Sequence, residues 1–422
     1  MKHLHFLLLA LLSSCATTPK KVEKKTSHPL EKILAAHAAD FDSILQHPEV
    51  YEVQIIYTQI DRDPQQRPHF KYWYWNVDST HYFYPASMVK MPLALLALEK
   101  INQLRNTGFP TLQKETFYKL DSTRAFQENY THAPDAPQER PTIAHDIRKV
   151  FTVSDNLAYN HLFEFLGRDY INQKLREKGY LHTGIVHRFN YPKRDNQYTS
   201  PITFYSDSDT LYKQKEQIDP RIWANTQHHT KKGTGYFNAA DSLVLQPFEM
   251  NQKNWFALTD MNKMLQSILF PEFVPEKQRF QLHADDYAFV RHYMGIFPRE
   301  CDWPTYDSTF YDGYVKFLLF GDRTEQQDGT VRVFNKVGEA YGTLTDVAYV
   351  VDYEKKVEFM LAATILCNPD GIFNDDQYAY DAIGFPFLGK LGRAVLEYEQ
   401  QRPRKIGPIK NDLDIYDPPK IK

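Results

Sequence analysis

The chain has 422 residues, of which 42% are hydrophobic and 24% are charged. This composition is typical of a folded domain with a sizeable core and excludes a disordered chain. The formal net charge of -3 is small. It gives no electrostatic reason to expect nucleic acid or an acidic membrane surface as a partner.

The first residues predict an export signal. Lys2 is followed by a short apolar segment (FLLLALL) and then by LSSC, which ends at Cys15 and resembles a bacterial lipobox. We expect residues 1–14 to be a signal peptide and Cys15 to carry a lipid anchor, with an ordinary secretory signal as the alternative. The polar and basic residues 15–28 are expected to form a tether. The protein would then be anchored at the cell envelope, facing the periplasm or the cell surface.

Four elements are predicted in the first hundred residues. Residues 30–46 have the apolar period of a helix. Strands are predicted at about 50–58 and 68–76, and the turn-rich segment between them indicates a hairpin. Residues 91–98 are apolar on nearly all sides, which predicts a buried helix.

The middle of the chain has mostly helical patterns. One helix is expected to begin near residue 141 and to run towards 153, and another covers residues 156–166. Residues 182–254 are polar with weak periodicity and are interpreted as long loops and an insertion. Helical patterns resume at 258–270 and 284–294.

The last third returns to strands. Three β-rich segments are predicted at residues 331–336, 343–351 and 357–365, and residues 385–401 predict a closing helix. The Pro- and Lys-rich tail from Arg402 is expected to be poorly ordered.

Strands at both ends of the chain, with helices between them, predict the fold class. The expected architecture is α/β of the α+β kind, in which an antiparallel sheet built from both chain ends is flanked by helices and carries an inserted all-helical lobe. The sheet lobe would comprise about 29–90 and 329–402, and the helical lobe about 91–328. Residues 403–422 would form the tail.

Three short motifs carry the chemistry. They are Ser87-Met88-Val89-Lys90, then Ser154-Asp155-Asn156, then Lys336-Val337-Gly338. At the start of a helix, residues three apart share a face, so Lys90 is expected to lie beside the oxygen of Ser87. A buried lysine has a lowered pKa and can accept the proton of a serine hydroxyl.

The motifs and their order resemble those of class A β-lactamases and penicillin-binding serine hydrolases. Residues 84–90, 152–158 and 336–348 extend the resemblance beyond the triplets. It implies the β-lactamase/transpeptidase-like fold, a nucleophilic Ser87 and a lysine base, Lys90.

The same resemblance implies roles for the other motif residues. Ser154 would pass protons, Asn156 would hold a substrate amide, and Lys336 would face Ser154 and the substrate with positive charge. The oxyanion hole would use the backbone N–H of Ser87 and one from the strand after Gly338, near Ala340. No metal or organic cofactor is implied.

Two departures from the family pattern concern turnover and specificity. The loop after the second motif has Tyr191-Pro192 where a glutamate before proline would position the deacylating water, and Asp195 is the nearest acidic residue. In the third motif, Val337 lacks the hydroxyl that would help to bind a substrate carboxylate, and Glu339 adds negative charge nearby.

Three other sets of residues are candidates for a motif, a disulfide or a metal site. The KGTG sequence at 232–235 is a rival for the third motif, and we rejected it because no strand pattern follows it. Cys301 and Cys367 would lie in an oxidising compartment, where they are either paired or free. His228-His229 alone does not make a metal site.

These observations predict a serine hydrolase of class A β-lactamase type that forms an acyl-enzyme on Ser87 and hydrolyses a β-lactam or a related cyclic or peptide amide. One alternative is a D,D-peptidase-like enzyme acting on cell-wall peptides. The other is a non-catalytic, penicillin-binding-like lipoprotein. The expected partners are a small-molecule or peptidoglycan-peptide substrate and, through Cys15, the membrane.

Overall fold

The computed structural model describes residues 28–409, so the predicted signal peptide, most of the predicted tether and Cys15 lie outside the described residues. The helices are α1 (Pro29–Ala36), α2 (Ala38–Leu45), α3 (Pro48–Tyr51), α4 (Lys90–Asn106), α5 (Ile143–Thr152), α6 (Asn156–Leu166), α7 (Arg168–Glu177), α8 (Leu258–Leu269), α9 (Ala284–Gly295), α10 (Phe317–Phe320) and α11 (Phe385–Gln401). Within the described range, none of them is both long and apolar enough to cross a bilayer.

The strands are β1 (Gln54–Arg62), β2 (Pro68–Trp75), β3 (Phe117–Leu120), β4 (Thr183–Gly184), β5 (Ile202–Tyr205), β6 (Thr210–Gln214), β7 (Lys231–Lys232), β8 (Gly235–Phe237), β9 (Leu243–Val244), β10 (Phe248–Glu249), β11 (Trp255–Phe256), β12 (Val331–Ala340), β13 (Thr343–Asp352), β14 (Val357–Leu366) and β15 (Ile372–Phe373). Five of them form the main antiparallel sheet, in the order β12-β13-β14-β1-β2. The β1–β2 hairpin therefore joins the three C-terminal strands, which confirms the predicted fold class.

Both faces of this sheet are covered, as the buried side chains of β13 show. Val347, Tyr349 and Val351 belong to the core shared with the helical part of the chain, whereas Ala348 and Val350 belong to the core on the other face. Successive side chains of a strand point to opposite faces. A strand covered on both sides fixes the position of its neighbour β12, which carries the third motif.

Helix α4 leaves the sheet and becomes the centre of the helical part. Its first thirteen residues, from Lys90 to Asn102, are all buried, including four polar ones. The charged groups among them have partners: Glu99 forms an ion pair of 2.7 Å with Lys178, and Lys100 donates to the carbonyl of Phe165 at 2.6 Å. Pairing of this kind is what allows charge in a core.

The predicted helix at 30–46 is two helices rather than one. α1 ends at Ala36 and α2 begins at Ala38, because His37 leaves the helical conformation with φ of -115°. β1 also begins later than predicted, at Gln54 instead of 50. The short helix α3 occupies residues 48–51, and Glu52 then takes a left-handed φ of 43°.

Residues 182–254 contain short strands among their loops, which the weak periodicity did not predict. β8 and β9 pair with each other, β7 pairs with β10, and β15 adds to β8 from the C-terminal third. Most of these strands have two or three residues, too few to show an alternating pattern, and the longest pair, β5 with β6, has only four and five residues.

The start of the tail was predicted wrongly as poorly ordered, and its described part is anchored by arginines. Arg402 donates to a carboxylate oxygen of Glu399 at 2.9 Å, and Arg404 forms a further ion pair with that carboxylate. Glu399 is fully buried and also accepts from the hydroxyl of Tyr57. A buried carboxylate needs such partners, so residues 402 and 404 belong to the fold.

Candidate active site

Ser87 lies in a tight turn at the start of the buried helix. Residues Ala86–Val89 form a 3₁₀ turn that runs directly into α4. Ala86 has a left-handed φ of 47°, a conformation that a residue with a Cβ adopts at an energetic cost. Ser87 itself is partly exposed and lines a cleft, whereas the next two residues, Met88 and Val89, are buried.

Lys90 makes the contacts that its spacing from Ser87 predicts. Its Nζ is 2.8 Å from Ser87 Oγ, 3.2 Å from Ser154 Oγ and 2.6 Å from Asn156 Oδ1, and it also donates to the carbonyl of Ser154. The side chain is fully buried. The first and second motifs therefore meet at one amine.

The surroundings of Lys90 disfavour its charged form. Burial lowers the pKa of Lys90 well below its usual value, and the charge of Lys336 lowers it further, against a smaller opposing effect of Asp155. A neutral amine has a lone pair that can accept the proton of Ser87.

Ser154 joins this amine to a second one. Lys336 Nζ donates to Ser154 Oγ at 2.7 Å and to the carbonyl of Val337 at 2.9 Å. Burial lowers the pKa of Lys336 to about 7, with Asp346 opposing the shift and Lys316 adding to it. Ser154 has a φ of 60°, which turns its hydroxyl towards both lysines. One hydroxyl thus lies between two amines and can pass a proton from one to the other.

Gly338 lets the third motif approach the 3₁₀ turn that contains Ser87. A Cβ added there would lie 2.5 Å from the carbonyl oxygen of Pro85 and 3.1 Å from Cγ of Met88. Only glycine allows β12 to pack so closely against residues 85–88. Ala340, two residues further on, lines the same cleft as Ser87.

The cleft has a volume of about 610 Å³, and residues of the insertion, among them Phe248 and Lys253, form part of its lining. Asn156 and residues 189–191 line it and also line an adjoining cavity of about 340 Å³. The structure brings Ser87, Lys90, Ser154, Asn156 and Lys336 into one hydrogen-bonded group. Asp195 is not among the described residues that line the cleft.

Sequence reasoning missed Phe189, which covers Lys90. The centre of its ring is 5.2 Å from Lys90 Nζ. Asn160 holds Phe189 in place, since its side chain donates to the Phe189 carbonyl at 3.0 Å and accepts from the Phe189 N–H at 2.9 Å. The signal for this contact is that Asn160 lies one helical turn after Asn156, on the same face of α6.

Lys253 is the second residue that was missed. It lines the cleft, donates to the hydroxyl of Tyr341 at 2.9 Å and lies within 6 Å of the ring centres of Tyr84, Phe248 and Tyr341. Among residues 28–409 no carboxylate forms an ion pair with it, although Glu339 also lines the cleft. Its place in a loop of the insertion left no pattern to predict it.

The KGTG sequence at 232–235 does not supply the third motif, but the reason differs from the one that the sequence suggested. A strand, β8, does follow it. The side chain of Lys232 instead forms an ion pair of 2.6 Å with Glu52 and does not contact Ser154. Cys301 and Cys367 are buried free thiols in separate parts of the core, so no disulfide joins them.

One family model matches the chain. It is described as the beta-lactamase enzyme family, and it covers residues 52–282. This segment is more than half of the chain and includes the first two motifs. A search of curated proteins gives no match.

Solved structures of class A β-lactamases resemble the chain at low identity. An ancestral class A β-lactamase is 13% identical with a TM-score of 0.48, covering 87% of this chain and 99% of its own. The chromosome-encoded β-lactamase of Vibrio parahaemolyticus is 11% identical with a TM-score of 0.47, covering 86% and 99%. A β-lactamase of Xanthomonas campestris is 12% identical with a TM-score of 0.46, covering 87% and 98%.

Because the charge of Lys336 lowers the pKa of Lys90, the reactivity of Ser87 is expected to depend on pH. A fluorophosphonate probe should label Ser87 faster as the pH rises through the pKa of Lys90, because Oγ displaces fluoride from phosphorus and only the neutral amine accepts the serine proton. Lys336→Gln removes a charge that lowers this pKa, so the midpoint of the profile should move to higher pH. The measurement is the second-order labelling rate between pH 5 and 10.

The control is Lys355→Gln, since Lys355 is exposed in the turn between β13 and β14, at the end of the sheet remote from Ala340. Its profile should match that of the unmodified protein. An unchanged midpoint in Lys336→Gln would show that the two amines are not coupled.

Proposed function

This chain belongs to the beta-lactamase enzyme family, and from that premise we propose that it is a serine hydrolase that forms an acyl-enzyme on Ser87. The substrate would be a β-lactam or a related cyclic or peptide amide. The observation that carries the proposal is the continuous hydrogen-bonded path from Ser87 through Lys90 and Ser154 to Lys336.

Acylation follows from this path. Lys90 accepts the proton of Ser87 as Oγ attacks the amide carbonyl carbon, and the backbone N–H groups of Ser87 and Ala340 stabilise the oxyanion. The amide C–N bond then breaks. Ser154 gives its proton to the leaving nitrogen and regains one from Lys90, so that the acyl group remains on Ser87. The proton lost by Ser87 thus ends on the leaving nitrogen, and Lys90, Ser154 and Lys336 return to their starting protonation states.

Hydrolysis of the acyl-enzyme is expected to be slow. It needs a water molecule and a base beside the ester, and the described residues place no carboxylate in hydrogen-bond contact with Ser87 or Lys90. The ring of Phe189 lies over the amine instead. An aromatic ring neither accepts a proton from water nor holds water in a line of attack, so deacylation would depend on the two lysines and Ser154.

A D,D-peptidase-like enzyme acting on cell-wall peptides is the second candidate. It is favoured by the same position of Phe189, which leaves no carboxylate of the described residues beside Ser87 or Lys90 to hold a hydrolytic water. The predicted lipid on Cys15 would hold either enzyme at the cell envelope, within reach of such peptides. A purely binding lipoprotein is disfavoured, since binding alone needs neither buried lysine.

Mass spectrometry of the intact protein with a penicillin tests the proposal. We expect an adduct equal to the whole mass of the drug, because ring opening releases nothing, and we expect it to persist. Ser87→Ala should abolish the adduct and Lys90→Ala should slow its formation by about 10²–10⁴-fold, whereas Ser208→Ala, an exposed serine, should change nothing.

The outcomes separate the candidates. A persistent adduct supports acylation without efficient hydrolysis, and a short-lived adduct with accumulating hydrolysed drug supports a working β-lactamase. An adduct that survives Ser87→Ala would disprove the assignment of the nucleophile.

Lys253 is proposed to bind an anionic group of the substrate in place of the missing hydroxyl of Val337. A hydrogen bond to a charged group is worth about 1.5–3 kcal/mol, or about 10- to 150-fold in rate. Lys253→Ala should slow acylation by a penicillin to this extent, and Lys253→Arg should retain most of the rate. Labelling by an uncharged fluorophosphonate should stay within about twofold; an equal loss with both reagents would contradict the role.

A further inference from the structure

A second groove lies on another part of the molecule, between the edge strand β2 and helix α8. Its volume is about 730 Å³, and it shares no lining residue with the cleft of Ser87. Tyr72 and Tyr74 form one wall, and Asn262 and Gln266 on α8 form the other. The groove exists because β2 is the last strand of the main sheet, beyond the part that α8 covers.

The tyrosine wall is flat and open to solvent. Tyr72 is 39% exposed and Tyr74 is 50% exposed, and their rings are nearly parallel, at 17° with 6.4 Å between centres. They are alternate residues of one strand and therefore share a face, whereas Trp73 and Trp75 pack into the core on the other side. An exposed aromatic strip of this kind in a groove is typical of a ligand site.

Polar atoms without partners lie beside this strip. Asn262 is 3% exposed, and among residues 28–409 nothing forms a hydrogen bond with its Oδ1. The same holds for Nδ1 of His182, which also lines the groove. A buried polar group left unpaired costs about 1–3 kcal/mol. Two such groups in one groove indicate a ligand with hydroxyl or amide groups.

The charge of the groove narrows the ligand class. None of the described residues that line it is Asp or Glu, and its one lysine, Lys263, lies 3.6 Å from the buried carboxylate of Asp260. Three uncharged amide side chains also line it, those of Asn262, Gln266 and Gln278. A neutral ligand is therefore favoured over a phosphate or a carboxylate.

We propose that this groove binds a neutral oligosaccharide. A pyranose ring has one face of C–H groups, which packs against an aromatic ring, and a rim of hydroxyls, which both donate and accept hydrogen bonds. The groove offers the matching pair of surfaces: two tyrosine faces on one wall and the amide groups of α8 on the other. Of these amides, Gln266 already accepts a hydrogen bond of 2.7 Å from the hydroxyl of Tyr72 through its Oε1. A peptide added to the edge of β2 would pair with the strand backbone and leave Asn262 unsatisfied.

The test uses three neutral tetrasaccharides, cellotetraose, maltotetraose and chitotetraose, and measures binding by calorimetry and by saturation-transfer NMR. At least one should bind, with signals from the C–H faces of its rings. Tyr74→Ala and Tyr72→Ala should each weaken binding at least tenfold. Tyr74→Phe should retain it, because the ring and not the hydroxyl makes the contact.

Tyr314→Ala is the matched control, since Tyr314 is a tyrosine of similar exposure outside the groove. It should bind as the unmodified protein does, and all variants should label at Ser87 at the normal rate. The proposal is overturned if none of the three saccharides binds, or if binding survives Tyr72→Ala and Tyr74→Ala. Either result leaves the Ser87 assignment untouched.

Discussion

The contact on which the rest of the site depends is the hydroxyl of Ser154 between two buried lysines. Its Oγ is 3.2 Å from Lys90 Nζ and 2.7 Å from Lys336 Nζ. Two ammonium groups that share one hydroxyl in a buried site repel each other strongly. The pair of lysines therefore favours one positive charge rather than two. This arrangement keeps one amine ready to accept a proton and the other ready to supply it. The fold holds the three groups on α4, on the turn before α6 and on β12.

The same constraint explains the local packing. β12 must lie against the nucleophile turn for Lys336 to reach Ser154, and Gly338 permits this because any side chain would strike the carbonyl of Pro85. Ala86 and Ser154 hold left-handed conformations that only a surrounding fixed structure can impose. These two strained residues adjoin Ser87 and Asp155, so they lie where the first and second motifs meet at Lys90.

Much of this could be predicted from the sequence, because the motif residues are short-range patterns that local structure places. Spacing put Lys90 beside Ser87, and the helix at 156–166 has the predicted limits. Long-range contacts could not be predicted in this way. The ring of Phe189 over Lys90, the cation of Lys253 in the cleft and the groove beside Tyr72 all join segments far apart in the sequence. The last two leave no periodicity or motif, and the first leaves only the spacing of Asn156 and Asn160 on α6.

Direct titration of Lys90 tests the central claim most closely. In protein carrying ¹³C-labelled lysine, the side-chain resonance that disappears in Lys90→Gln belongs to Lys90, and its chemical shift can be followed against pH. We expect the pKa of Lys90 to lie far below the usual value of about 10.4, and to shift upward when Lys336 is replaced by Gln. A Lys90 resonance that titrates near 10.4 would mean that the amine is charged at neutral pH and cannot act as the base.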